Sequence, residues 1–450
     1  MSPLERARLP ALLAAEERRF RENHPKSRAL FERARKVLLA GVPMPWMVKW
    51  AGGFPLFVES GQGGHFTDVD GLRYLDLCLG DTGAMTGHAP AGTAEAVRRQ
   101  ADRGFTFMLP TEDAAWVGEE LQRRFGLPYW QYTLTATDAN RAVIRLARLI
   151  TGRAKILVFN WCYHGTVDEA FAVLRDGAVH SRPGNLGPPV DPALTTRVVE
   201  FNDVAALEAE LAHGDVACVL AEPAMTNIGI IPPAPGFHAA LRELTRRTGT
   251  LLVLDETHTI CAGPGGCTQA DRLEPDILTF GKAIGGGIPA AAYGCSAEVA
   301  QRVASRMTLA EADTGGIGGT LAANAFSLAA MRATLSHQLS EASFAETIPV
   351  AGRFATGVAG VIREFGLPWT VQQLGCRAEY WFRPVSPRNG GEAAAAGDFE
   401  LERYLHLAAL NRGILLTPFH NMALVAPGVS AGDMDRHAAA FRESVGALMS

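Results

Sequence analysis

From about residue 91 the chain alternates short, mostly apolar runs with longer amphipathic stretches. The runs at 155–159, 216–220, 251–254, 277–280 and 291–295 are only four or five residues long, too short for helices, and read as strands buried on both faces. Between them, 139–150, 204–211 and 236–248 carry apolar residues at helical spacing. Strands alternating with helices predict an α/β fold, with a doubly wound, mostly parallel sheet covered by helices on both sides.

The two chain ends follow a different pattern. Residues 1 to about 40 predict amphipathic helix, with Leu30, Phe31, Val37 and Leu38 on one face. A proline-rich turn follows at 41–45, then Trp46 and Trp50. Residues 57–66 and 70–75 read as small antiparallel strands turning at Asp70-Gly71. A helix over about 322–336 leads into a C-terminal α+β segment, in which 388–397, rich in Gly and Ala, reads as a mobile loop. The expected organisation is an N-terminal segment over 1–90, a large domain over 91–335 and a small C-terminal domain over 336–450, the two ends together making the smaller α+β domain.

Composition narrows the partners. A net charge of −5 with scattered basic residues gives no electrostatic footprint for nucleic acid or for an anionic membrane. The N-terminus is charged throughout and has no long apolar stretch, so neither a signal peptide nor a membrane span is expected. The seven cysteines include no C-x-x-C pair, which argues against a metal site or a disulfide framework and fits a reducing cytoplasm.

Two polar residues stand where such a sheet presents its binding crevice, at the carboxyl ends of strands. Asp255 closes the run 251–254, and Lys282 follows the run 277–280 and precedes Gly285, Gly286 and Gly287. A strand-end Asp alone is commonly a helix cap, and a Lys after Gly is commonly a surface charge. Together they match what pyridoxal phosphate (PLP) requires: an amine to hold its aldehyde and a carboxylate to keep its ring nitrogen protonated. The glycines allow close approach of a bulky ligand. A nucleotide-binding reading of the glycines fails on spacing, because the lysine precedes them.

With these motifs the chain resembles class III PLP-dependent aminotransferases of fold type I, a group of ω-amine, β-amino-acid and ornithine-type transaminases with glutamate-1-semialdehyde aminomutase as a close relative. The resemblance runs from about residue 40 to the end. It implies that Lys282 is the lysine bonded to the cofactor and that Asp255 pairs with the ring nitrogen. His258 stands where the family often has Gln, and takes the same hydrogen bond to the phenolic oxygen; Thr257 lies against a ring face. Thr135, Ala136 and Thr137 match the phosphate turn usually written Ser-Gly-Thr-Glu-Ala, with Ala136 replacing the glycine and Asp138 the glutamate. Tyr163 and His164 match the aromatic-His-Gly motif, with Tyr163 stacking on the ring. Glu222-Pro223 matches a Glu-Pro turn lining the site. Thr320, after two glycines, matches a threonine that reaches the phosphate of the neighbouring subunit, which implies a homodimer with shared active sites.

On the substrate side the pattern departs from the carboxylate-binding members. Phe419 stands where the family often places arginine, and Trp46, Trp50 and His420 complete an expected aromatic pocket. This favours an amine or β-amino acid with a bulky apolar part, exchanged with a keto acid such as pyruvate whose carboxylate is met by Lys49, His420 or Arg377. The leading expectation is a ping-pong transaminase. The alternatives are an aminomutase or an amino-phospholyase on the same scaffold; a non-catalytic PLP-binding protein would more commonly have lost Lys282 or Asp255.

Overall fold

The structure is a computed structural model and describes residues 5–308 and 315–449. The chain divides into two compact units. One comprises Met1–Pro90, Ala345–Ser386 and Ala396–Ser450; the other comprises Ala91–Phe344 and Pro387–Ala395.

The first unit opens with helices Leu9–Asn23 and Pro25–Ala34. The sequence predicts one helical stretch, but His24 leaves the helical region (φ −125°, ψ 51°) and Pro25 starts the second helix, because a proline is tolerated at a first turn and not inside one. Residues 1–4 of that expectation lie outside the described residues. Strands β1 (Val58–Gln62), β2 (His65–Asp68) and β3 (Arg73–Asp76) form an antiparallel meander. Phe20, Phe54, Phe66 and Tyr74 pack with Leu407 and Leu410 into one buried cluster.

The larger unit is built on seven strands: β4 (Tyr129–Thr133), β5 (Lys155–Phe159), β8 (Thr196–Val199), β9 (Val216–Ala221), β10 (Leu251–Asp255), β11 (Ile277–Phe280) and β12 (Ala291–Cys295). Their order is β4-β12-β11-β10-β9-β5-β8. All neighbouring pairs from β11 to β8 are parallel, while β12 runs antiparallel to both β11 and β4. The central strands β9 and β10 are buried at every position, which is why they read as unbroken apolar runs. A two-stranded hairpin, β6 (Ala172–Arg175) with β7 (Ala178–Ser181), interrupts the alternation between β5 and β8. Its strands are only four residues each and did not stand out in the sequence.

The remaining strands return to the first unit. There β13 (Thr370–Leu374), β14 (Arg377–Trp381) and β16 (Met422–Leu424) form an antiparallel sheet, and β15 (Ile414–Leu415) adds parallel to β3. The stretch 388–397, expected as a mobile loop, instead contains a short helix, Gly390–Ala394. The Asn389 side chain caps it by accepting from the backbone N–H of Glu392. A Cβ on Gly390 would fall 2.0 Å from the carbonyl oxygen of Asn160, so the glycines there serve close packing. Among the described residues no helix is long and apolar enough to cross a membrane.

Candidate active site

The carboxyl end of β10 and its neighbours gathers the polar residues of the larger unit. Register places Asp255 beside Thr279 of β11, so both leave the sheet at the same level. Asp255 is 3% exposed, and its carboxylate is fully engaged. One oxygen accepts from the backbone N–H of Thr257 at 3.1 Å. The other meets Nδ1 of His164 at 2.9 Å and accepts from the Asn140 amide at 2.9 Å. Burial alone would raise the pKa of Asp255, but the hydrogen bond and charge of His164, with the bonds from Thr257 and Asn140, hold it below the ordinary carboxylate range. Burial likewise opposes a charge on His164, and Cys162 and Asp255 outweigh it, so the imidazole is shifted upward. Each partner keeps the other charged.

Asn140, not among the residues expected from the sequence, is part of this network. It is fully buried, donates to Asp255 and to the carbonyl of His164, and accepts from the Thr279 hydroxyl at 2.8 Å. The signal was present: Asn140 is a lone polar residue on the otherwise apolar buried face of the helix Ala136–Thr151, among Ala139, Ala142, Val143 and Ala147.

Lys282 begins a 3-10 turn, Lys282–Gly285, directly after β11. It is half-buried and has φ +50°, a left-handed conformation uncommon for a residue with a side chain. Strain of that kind collects at functional positions. Its Nζ lies 2.8 Å from Nε2 of His258. Glu222, just past β9, is buried and accepts from both the backbone N–H and the hydroxyl of Thr226; burial raises its pKa against the pull of His164.

The turn expected to hold the phosphate begins with Thr135 capping the helix Ala136–Thr151. Its hydroxyl accepts from the N–H of Asp138 at 3.2 Å and donates to the Asp138 carboxylate at 2.8 Å. Ala136 is not among the positive-φ residues, so the missing glycine costs the turn no backbone strain. Gly281 accommodates it, since a Cβ there would lie 2.8 Å from the Cβ of Ala136. The Thr137 hydroxyl accepts from the N–H of Thr166 at 3.0 Å and so ties the turn to the segment that carries Tyr163 and His164. Tyr163 is half-buried, 6.2 Å from the Phe171 ring. Thr320 is exposed.

These residues fit PLP. The Thr257 hydroxyl is buried without a hydrogen-bond partner among the described residues, at the place expected for a contact with the cofactor ring. The helix start offers N–H groups and positive dipole for a phosphate. Lys282, Asp255 and His258 would hold the reactive end, the ring nitrogen and the phenolic oxygen.

In the smaller unit, Trp46 and Trp50 line a cavity of about 800 Å³ with Met44, Met47, Phe54 and Phe66; Asp76 and His88, 2.8 Å apart, are its polar pair. That volume suits a small-molecule ligand. Phe419 packs edge-on against Trp46 at 4.6 Å, and the exposed Lys49 ammonium lies 5.1 Å from the Phe419 ring centre. His420 and Arg377 are not among the cavity residues. His420 is buried and paired with Glu379 at 3.0 Å, and Arg377 donates to the Thr82 hydroxyl at 2.9 Å.

Comparison with known proteins agrees with this chemistry. Residues 47–356 match the family described as "Aminotransferase class-III". The glutamate-1-semialdehyde 2,1-aminomutase of Sorangium cellulosum is 35% identical over 431 residues, covering 94% of this chain and 97% of that protein. A glutamate-1-semialdehyde-aminomutase from Pseudomonas aeruginosa PAO1, solved also as a lysine-to-alanine variant in complex with PMP, superposes with a TM-score of 0.96 at 50% identity over 99% of both chains. A β-phenylalanine aminotransferase from Variovorax paradoxus superposes at 0.85 with 27% identity, covering 97% of each chain. The fold is that of fold type I PLP-dependent enzymes, the cofactor is pyridoxal phosphate, and the chain belongs to the class III aminotransferase family.

Proposed function

We propose that this enzyme moves an amino group within one small substrate, from one carbon to its neighbour, as the names of its glutamate-1-semialdehyde aminomutase relatives describe. The observation that carries the reading is 50% identity over 99% of both chains with such a protein, joined to the Lys282, His258 and Asp255 arrangement. A second reading, transamination between a bulky apolar amine or β-amino acid and a keto acid, is favoured by the aromatic cavity of the smaller unit, which no arginine lines. Small molecules are the partners in either case.

PLP, when bound, supplies a ring that accepts electrons from the substrate carbon losing its proton. Asp255 holds a negative charge at the ring nitrogen, kept in place by His164 and Asn140. Lys282 provides the amine that takes and returns a proton at its Nζ, with His258 in contact. The Ala136–Thr151 helix start and the Thr135 and Thr137 hydroxyls anchor the phosphate. We also infer a homodimer completing the phosphate site through Thr320, whose exposure supports a contact beyond its own chain. Seven free cysteines support a cytoplasmic setting.

The test is incubation of the PLP-loaded enzyme with glutamate-1-semialdehyde and no keto acid. Isomerisation without a second substrate supports the first reading. Its absence, with alanine formed from an apolar amine and pyruvate, replaces that reading by the second. Ammonia release from either incubation would mark an elimination instead.

A further inference from the structure

We propose that His258 is a catalytic proton partner of Lys282, exchanging a proton with its Nζ as the lysine bonds to and leaves the cofactor. The inference rests on the PLP reading and goes beyond the hydrogen bond to the phenolic oxygen expected at this position. His258 is 8% exposed and precedes the 3-10 turn Thr259–Ala262. Its Nε2 lies 2.8 Å from the atom that reacts. The family often carries a glutamine there, which offers donors and an acceptor but takes up no proton near neutral pH; an imidazole does.

The chemistry of the contact is constrained. An ammonium has three donors and no acceptor, so a 2.8 Å approach to a ring nitrogen requires that one partner give its hydrogen to the other's lone pair. Either the ammonium donates to a bare Nε2, or a protonated Nε2 donates to a neutral amine. The two arrangements differ by one proton moved along one line. When the proton passes from Nζ to Nε2, its bonding pair stays on Nζ as the lone pair needed for attack, and the imidazole carries the charge. Reversal restores the ammonium when the lysine is released. No external oxidant or acid enters the balance.

The other titratable groups at this end of the sheet have different partners. Asp255 and His164 pair with each other. Glu222 accepts from Thr226. Glu256, whose pKa burial pushes up to about 7, accepts from Thr259, Cys267 and Thr268. His258 stands in hydrogen-bond contact with the reacting nitrogen.

The test follows the visible band that forms when cofactor-free protein is mixed with PLP, by stopped flow between about pH 6 and 9. His258→Gln keeps a hydrogen-bonding side chain of similar reach. We expect it to load on the order of 10²-fold more slowly near pH 7, the lower range of general acid–base effects. In His258→Ala, added imidazole should restore the rate in proportion to its concentration, which a purely structural role would not produce. Loading of His258→Gln at the wild-type rate throughout, or indifference of His258→Ala to imidazole, overturns the proton transfer. If wild-type protein forms no band, the PLP reading itself falls.

Discussion

At the carboxyl end of the seven-stranded sheet, polar side chains from β10, β11, one helix and one loop converge on a single carboxylate. Asp255, His164, Asn140 and Thr279 are each buried and joined by hydrogen bonds, His164 and Asn140 to Asp255 and Thr279 to Asn140. The cavity of the smaller unit is the reverse case: Trp46, Trp50, Met44, Met47 and Phe54 supply its walls, and one Asp–His pair its polarity. The difference is physical. Holding a charged ring nitrogen requires a buried carboxylate, and a buried carboxylate survives only inside a satisfied network. Holding an apolar group requires shape and area, which many residue sets supply. The first region should tolerate almost no substitution, whereas the second should change substrate preference while leaving the cofactor in place.

The largest effect is expected for Lys282→Ala. In the proposed mechanism it removes both the covalent tether and the amine that moves protons, so turnover should fall by more than roughly 10⁴-fold. Borohydride should then fix no cofactor on the protein, as read by mass. Normal turnover in this variant would sink the whole assignment.

Next comes Asp255→Asn. Removing the carboxylate charge should lower turnover by roughly 10²–10⁴-fold and leave the His164 imidazole buried without its counter-charge. The pH dependence has a definite sign. In the wild type, His164 is shifted upward, so its stabilisation is complete below its unfolded pKa of about 6.5 and is lost as pH rises through the folded value. Asp255 is shifted downward, so its share is present above about 4 and lost only in stronger acid. With Asn at 255, His164 loses one of the two groups that oppose burial, so the folded chain holds its proton less tightly than the wild type does. The variant should therefore gain less stability than the wild type as pH falls from about 8 to 5. Thermal melts across that range check this, and parallel curves would show that the pair carries no linkage.

The aromatic cavity predicts a smaller, substrate-dependent change. Trp46→Ala removes a large side chain, worth roughly 1.5–3 kcal/mol against an apolar group, and should lower kcat/KM for a bulky apolar amine by about 10- to 100-fold. Cofactor loading should not change. An equal loss for small and bulky donors would mean that Trp46 serves only to pack its own unit.

How much of this was legible in the sequence depended on the same contrast. Strand-end residues such as Asp255 and Lys282 announce themselves, because buried parallel strands are unbroken apolar runs and a charge at their end has no packing reason to be there. The order of the sheet did not: nothing in the residues 291–295 reveals that β12 runs antiparallel to its neighbours. Asn140 escaped because it lies on a helix whose apolar face was read as core. The small helix Gly390–Ala394 was mistaken for a loop because glycines that permit close packing look, in sequence, like glycines that permit motion. His420 and Arg377 show how little residue type alone says about surroundings. Both are candidates for meeting a carboxylate; both are buried, His420 beside Glu379 and Arg377 donating to Thr82.

The smallest effect sharpens the boundary of the first region. Gly281 has φ −132° and ψ −156°, angles open to any residue, so only its neighbour restricts it. A Cβ at 281 would stand 2.8 Å from the Cβ of Ala136, where ordinary contacts are nearer 4 Å. Gly281→Ala should therefore push the start of the helix Ala136–Thr151 away from Lys282, at a cost of about 1–3 kcal/mol for the overpacked contact. The phosphate turn rides on that helix start, so affinity for PLP should weaken by roughly tenfold while the Asp255–His164 pair stays intact. Ala136→Gly in the same chain removes the opposing methyl and restores the glycine usual in the family's turn, and the double variant should bind PLP nearly as the wild type does. A double variant as weak as Gly281→Ala would mean that the 281–136 contact is not what sets the position of the phosphate turn.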